Sequence, residues 1–141
     1  MEEGCEEYGE MIVPVNLQIS DDQTHLIYEF SDPINMDELV EAYKQERAFR
    51  DSIPHVIHSI VDMSQLKRIP ANWLVAKAGP GFTHPRAGEI AFVGLSVSLQ
   101  MIVSTISKLV GYKRLKVFGS RAEAEAYIKA LVAKQPASSS T

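Results

Sequence analysis

From Val13 the apolar residues fall on every second position, Val13, Val15, Leu17 and Ile19, with Asn16 and Gln18 between them. This is the period of a half-buried strand. Pro14 places that strand at a sheet edge, because proline has no N–H to give to a ladder. The polar run Ser20, Asp21, Asp22 and Gln23 turns the chain, and Leu26, Tyr28 and Phe30 resume the alternation. The two segments predict an antiparallel hairpin. After Asp32-Pro33 the period lengthens. Asn35 and Glu38 stand at capping spacing, and Met36, Leu39, Val40 and Tyr43 share one helical face up to about Ser52. Residues 55–61 then read as a strand apolar on both sides, as at the centre of a parallel sheet covered by helices.

The remaining pattern alternates between the two periods. A short helix is expected over residues 70–78, closed by Gly79-Pro80-Gly81, then a strand over 89–93 and a helix over 96–110 ending at Gly111. A strand over 115–118 follows. The last helix opens on Ser120 and Glu123 at capping-box spacing and buries Ala124, Tyr127, Ile128 and Leu131. The expected order is ββαβαβαβα: an α/β fold with a mixed five-stranded sheet and four helices, its later strands parallel. Residues 1–10 read as an acidic disordered leader, 11–134 as one domain and 135–141 as a disordered tail.

Composition narrows the classes. With 45% hydrophobic residues in 141, the chain can bury a core without covalent staples. Its one cysteine, Cys5, cannot form an intramolecular disulfide, which suits a reducing compartment, and the expected location is cytoplasmic. No apolar stretch reaches membrane-spanning length, and the first residues are acidic where a signal peptide is basic. Net charge is −4, but five glutamates in the first ten residues leave +1 for the rest, which offers nucleic acid no basic face.

The segment Ile60-Val61-Asp62-Met63-Ser64-Gln65-Leu66 resembles the strand-end motif of STAS domains, the anti-sigma-factor antagonist and sulfate-transporter module. Ile90-Ala91-Phe92-Val93-Gly94 and Val117-Phe118-Gly119-Ser120-Arg121-Ala122-Glu123-Ala124 are similar to segments of small bacterial proteins described as SpoIIAA-like or STAS/SEC14-like. The likeness spans about residues 12–132 and implies a SpoIIAA-like (STAS) fold. In the antagonists a serine opening the next helix is phosphorylated by a partner kinase. Superposing Asp62-Met63-Ser64 on the family's triplet puts Pro70-Ala71-Asn72-Trp73 there, with Ala71 at the serine position, so the resemblance implies a module without that switch.

Candidate chemistry is sparse. The histidines His25, His55, His58 and His84 lack ligand spacing, and no metal site or cofactor is expected. The hydrolase signature Gly-x-Ser-x-Gly is missing, and an enzyme built on His58, Asp62, Ser64 and His84 is disfavoured. The run from Gly79 to Arg86 could cradle an anion but reads better as a structural loop. Asp62 and Ser64 stand where a parallel strand ends, the common ligand edge of open α/β sheets, although a turn explains them as well. In the helix over 96–110, Leu99, Ile102, Val103, Ile106, Leu109 and Val110 form the core stripe, while Val97 and Met101 carry the apolar surface beyond it. A broad front of this kind suits a partner helix, a dimer seam, a bound acyl chain, a membrane surface or simple burial. Lys108, Lys113, Arg114 and Lys116 gather at its end, where they complement the helix dipole or meet an anionic group.

The expected function is a non-enzymatic binding or regulatory module acting through protein contacts, with a homodimer possible. Its contact residues would be Asp62, Ser64, Asn72, Trp73, Val97, Met101 and Lys108. The alternative is a carrier or sensor of a small hydrophobic or lipid-like ligand held between that helix and the sheet, which requires a cavity of several hundred Å³ or so.

Overall fold

A computed structural model describes residues 14–69 and 72–134. The expected leader and tail, and Pro70 and Ala71, lie outside the described residues. Strands β1 (Val15–Ile19) and β2 (His25–Ser31) form the antiparallel hairpin, with Leu17 opposite Tyr28. The turn between them is held by Asp22, which accepts from Thr24 Oγ1 at 2.7 Å and Ser20 Oγ at 2.8 Å. Helix α1 (Met36–Ser52) opens on Asn35, whose side chain accepts from Asp37 N. Strands β3 (Ile57–Gln65), β4 (Ala87–Val93) and β5 (Leu115–Phe118) then add in parallel, so that the five-stranded mixed sheet runs β1-β2-β3-β4-β5. Pro14 adjoins the edge strand β1, as its missing N–H requires.

The segment between β3 and β4 differs from expectation. In place of one helix over 70–78 there is a 3-10 helix (Trp73–Ala78) followed by a one-turn helix α2 (Pro80–Thr83). The described chain therefore has five helical pieces, where four were expected. The reason lies in Gly79-Pro80: Gly79 is extended, and Pro80, with φ preset and no N–H to satisfy, starts a new turn where it was expected to help close the old one. β3 also starts two residues later and runs four residues further than the apolar run alone suggested, because its end pairs with β2 through Ser31 and Gln65.

Helices α3 (Val97–Val110) and α4 (Arg121–Lys134) cover opposite faces of the sheet. On one face Leu26, Tyr28, Phe30, Val61, Ile90 and Phe92 pack against Leu39 of α1 and Leu99 and Val103 of α3. On the other, Ile27, Ile60, Ala91 and Val93 meet Ala124 and Ile128 of α4. Both helices start as predicted, with Ser96 Oγ accepting from Leu99 N and Ser120 Oγ from Glu123 N. Two positions are corrected. Val40 and Leu109, expected in core stripes, are 38% and 60% exposed. Val40 stands outside the buried row of Leu39, Ala42, Glu46 and Arg50, and Leu109 outside that of Leu99, Val103 and Ile106, so each is left facing solvent.

Candidate functional site

Three places in the molecule hold unusual side chains. The first is the interior between the sheet and helices α1 and α3. The inner face of α1 continues past Leu39 and Tyr43 into Glu46 and Arg50, which are 1% and 0% exposed. Glu46 Oε1 accepts from Tyr28 Oη at 2.7 Å and Oε2 from Arg50 Nε at 2.8 Å. The other guanidinium nitrogens donate to the Ile57 carbonyl at 2.7 Å and Ser59 Oγ at 2.8 Å. An ion pair at this depth is tolerated only because its polar atoms are matched in this way. Burial first, then the Glu46 carboxylate, push the Tyr28 phenol well above its ordinary value.

Beside this network is an apolar cavity of about 90 Å³, bounded by the sheet, α1, α3 and the Trp73–Thr83 segment. Among the described residues Glu46 is the one charged side chain in its wall. Gly79 makes room there for Tyr43, because a Cβ on it would sit 2.9 Å from the ring and the ring would have to shift. Tyr43, its phenol raised by burial, donates from Oη to the Ala76 carbonyl at 3.3 Å and so ties α1 to the 3-10 helix.

The second place is the end of the parallel strands on the α4 face. Glu29 of β2 and Asp62 of β3 are neighbours in register, and Arg121 Nη1 reaches them at 2.8 and 3.5 Å. Arg121 Nε also meets Glu125 at 3.1 Å. The bond from Arg121, followed by that from Asn16, holds the Glu29 carboxyl below its ordinary value. Asp62 accepts from the Ser64 N–H at 3.0 Å and from the Ser64 hydroxyl, an Asx turn. Gly94, at φ 73°, lies against Ser64, and a Cβ there would come within 2.7 Å of Ser64 Cα. Asp62 is thus tied to α4 through Arg121, and Ser64 packs against the β4 exit at Gly94.

The third place is the outer face of α3. Val97, Met101 and Leu109 are 76%, 66% and 60% exposed. With Thr105 they form one i, i+4 row, while Leu99, Val103 and Ile106 are buried beneath. Lys108 is exposed, and it is the helix's one charged residue. Of the cations beyond it, Arg114 lies over the Tyr112 ring and Lys116 over the Tyr127 ring, at 5.6 and 5.9 Å.

The expected contact residues therefore divide. Val97, Met101 and Lys108 share α3, and Trp73 lines the cavity from the 3-10 helix packed against α3. Asn72 is exposed at φ 60° before that helix. Asp62 is on the opposite face of the sheet, with Arg121. The histidines do not converge on Asp62 and Ser64. His58 Nδ1 accepts from Glu89 N at 3.0 Å near the start of β3, and His84 Nε2 meets Asp51 at 2.8 Å. Among the described residues no group of three His, Cys, Asp or Glu side chains could hold a metal ion. Arg86, weighed as an anion ligand, instead donates to the Arg50 carbonyl at 2.7 Å and closes the end of α1.

Sequence reading missed Glu46, Arg50, Tyr28 and Ser59. One signal was available: the face Leu39, Tyr43 extends by helical steps onto Glu46 and Arg50, two opposite charges on a buried stripe. No family model matches the chain, and no curated protein matches it significantly.

Proposed function

We propose that this protein is a non-enzymatic, STAS-like binding module of the SpoIIAA-like type, acting in the cytoplasm through protein contacts, with the outer face of α3 as its contact surface and a second copy of itself as the simplest partner. The observation that carries this reading is the row Val97, Met101 and Leu109, exposed on a helix whose inner row is already buried. A helix face of that kind, with one charge in fourteen residues, has the composition of interface cores, which are poor in charge and rich in apolar and methionine side chains. A straight apolar row is also self-complementary about a two-fold axis, the commonest symmetry of homo-oligomers. The α/β class with its five-stranded mixed sheet is compatible with the STAS resemblance, and Ala71 at the family's serine position supports a module regulated without the phosphoserine switch.

The carrier reading is weaker for lipids, because about 90 Å³ is well short of the several hundred Å³ or so that enclose an acyl chain. Among the described residues no helix is long and apolar enough to cross a membrane. Native mass spectrometry of freshly purified protein tests the proposal. A dimer that Val97→Glu with Met101→Glu turns into a folded monomer supports it. A wild-type monomer carrying a reproducible mass that denaturation releases supports the carrier.

A further inference from the structure

We propose that the cavity between α1, α3 and the sheet is a binding site for a small neutral molecule that is mostly apolar and carries one hydrogen-bond donor, of the phenol class. This site is separate from the outer face of α3 and goes beyond the interaction reading. Its walls are side chains such as Phe30, Val61, Phe92 and Leu99, which favour an apolar body. Its polar end is the Glu46 carboxylate. Each of its oxygens holds one partner, Tyr28 or Arg50, and a carboxylate oxygen has two acceptor directions, so capacity remains for a donor from inside the cavity. Ser59 also lines the space, accepting from Arg50 with a hydroxyl hydrogen of its own to give.

Charge restricts the class. An anion would face Glu46 in an apolar enclosure, and a cation would compete with Arg50, which already neutralises the carboxylate at 2.8 Å. A neutral O–H or N–H meets neither obstacle. Size restricts it as well: a cavity of about 150 Å³ accepts benzene, so one of about 90 Å³ takes a single ring or a short branched chain only with a small outward shift of one wall. We assign that shift to the Trp73–Thr83 segment, which is made of two short helical pieces joined at Gly79.

Gly81 keeps the polar end open. A Cβ on it would stand 3.6 Å from Ile90 Cδ1, 3.6 Å from Ser59 Oγ and 3.8 Å from Glu46 Oε2, all ordinary contacts. Gly81→Ala therefore places a methyl where the ligand's donor would approach, without displacing the fold. The experiment is an NMR titration of the full-length protein with phenol, benzene and benzoate. Phenol should move the amide signals of Ser59, Gly81 and Ile90 saturably, benzene should bind at least about tenfold more weakly, and benzoate should not bind. Gly81→Ala, with its dispersed spectrum retained, should weaken phenol by about tenfold or more. Val103→Leu, which fills the apolar end, should weaken phenol and benzene alike. No saturable phenol shift in the folded wild type, or equal phenol binding by wild type and a folded Gly81→Ala, overturns the proposal.

Discussion

Arg50 is the largest fully buried side chain among the described residues. It is fully enclosed and its guanidinium serves Glu46, Ser59 and the Ile57 carbonyl. Arg50→Met leaves Glu46 buried without its cation and should cost about 3–5 kcal/mol in urea denaturation. Replacing Glu46 by Leu together with Arg50→Met and Tyr28→Phe removes every charge at once and should recover more than half of that loss. A second residue-scale prediction concerns pH. Burial lowers the His58 pKa below its ordinary 6.5, so the folded state resists a proton that the unfolded chain accepts. Stability from this source is complete above pH 6.5 and declines as pH falls below it, with a limiting slope of about 1.4 kcal/mol per pH unit for one proton. The urea midpoint should therefore drop between pH 7.5 and 5, and His58→Gln should flatten the drop. These two sites were unequally legible. The spacing of Glu46 and Arg50 is visible along the chain, but the partners Tyr28 and Ser59 come from other strands and are joined only by folding.

At the scale of the element, α3 shows two kinds of apolar residue. Leu99 is 4% exposed and packs on the sheet, so Leu99→Ala should cost about 2–5 kcal/mol. Val97 and Met101, two residues to either side along the chain, face solvent, and their replacement by glutamate should leave the unfolding free energy of the monomer within about 0.5 kcal/mol while abolishing the proposed self-association. The contrast separates packing from the proposed contact within one helix. Periodicity located this helix and its caps, but it assigned Leu109 to the core. An apolar stripe of six residues with further apolar residues beside it can be read with either margin inward, and only packing in the folded molecule decides which margin is covered. The short helical pieces before β4 illustrate a different limit. Gly79-Pro80 can end one turn or start another, and the chemistry of the dipeptide permits both.

For the whole molecule, the two faces of the sheet depend on unequal cover. α1, α3 and the short helices share one face, whereas α4 covers Ile27, Ile60, Ala91 and Val93 on the other. Deleting the chain after Gly119 should leave that face open and give a protein that binds a hydrophobic dye and aggregates, as measured by dye fluorescence and light scattering. The opposite face has the cavity. A small apolar molecule that binds there should raise the melting temperature according to its concentration and affinity.

The sequence by itself determined the α/β class, the antiparallel hairpin, the edge position of β1, the capped starts of two helices and the apolar excess of α3. These follow from local periods, capping chemistry and the missing N–H of proline, which act between residues a few positions apart. Only the tertiary structure decided which side of α3 is exposed, that Asp62 belongs to Arg121, that Glu46, Arg50, Tyr28 and Ser59 form one network, and that a cavity stands beside it. Each of those depends on contacts between distant segments and on how much surface one element leaves for the next to cover, quantities that no local pattern contains.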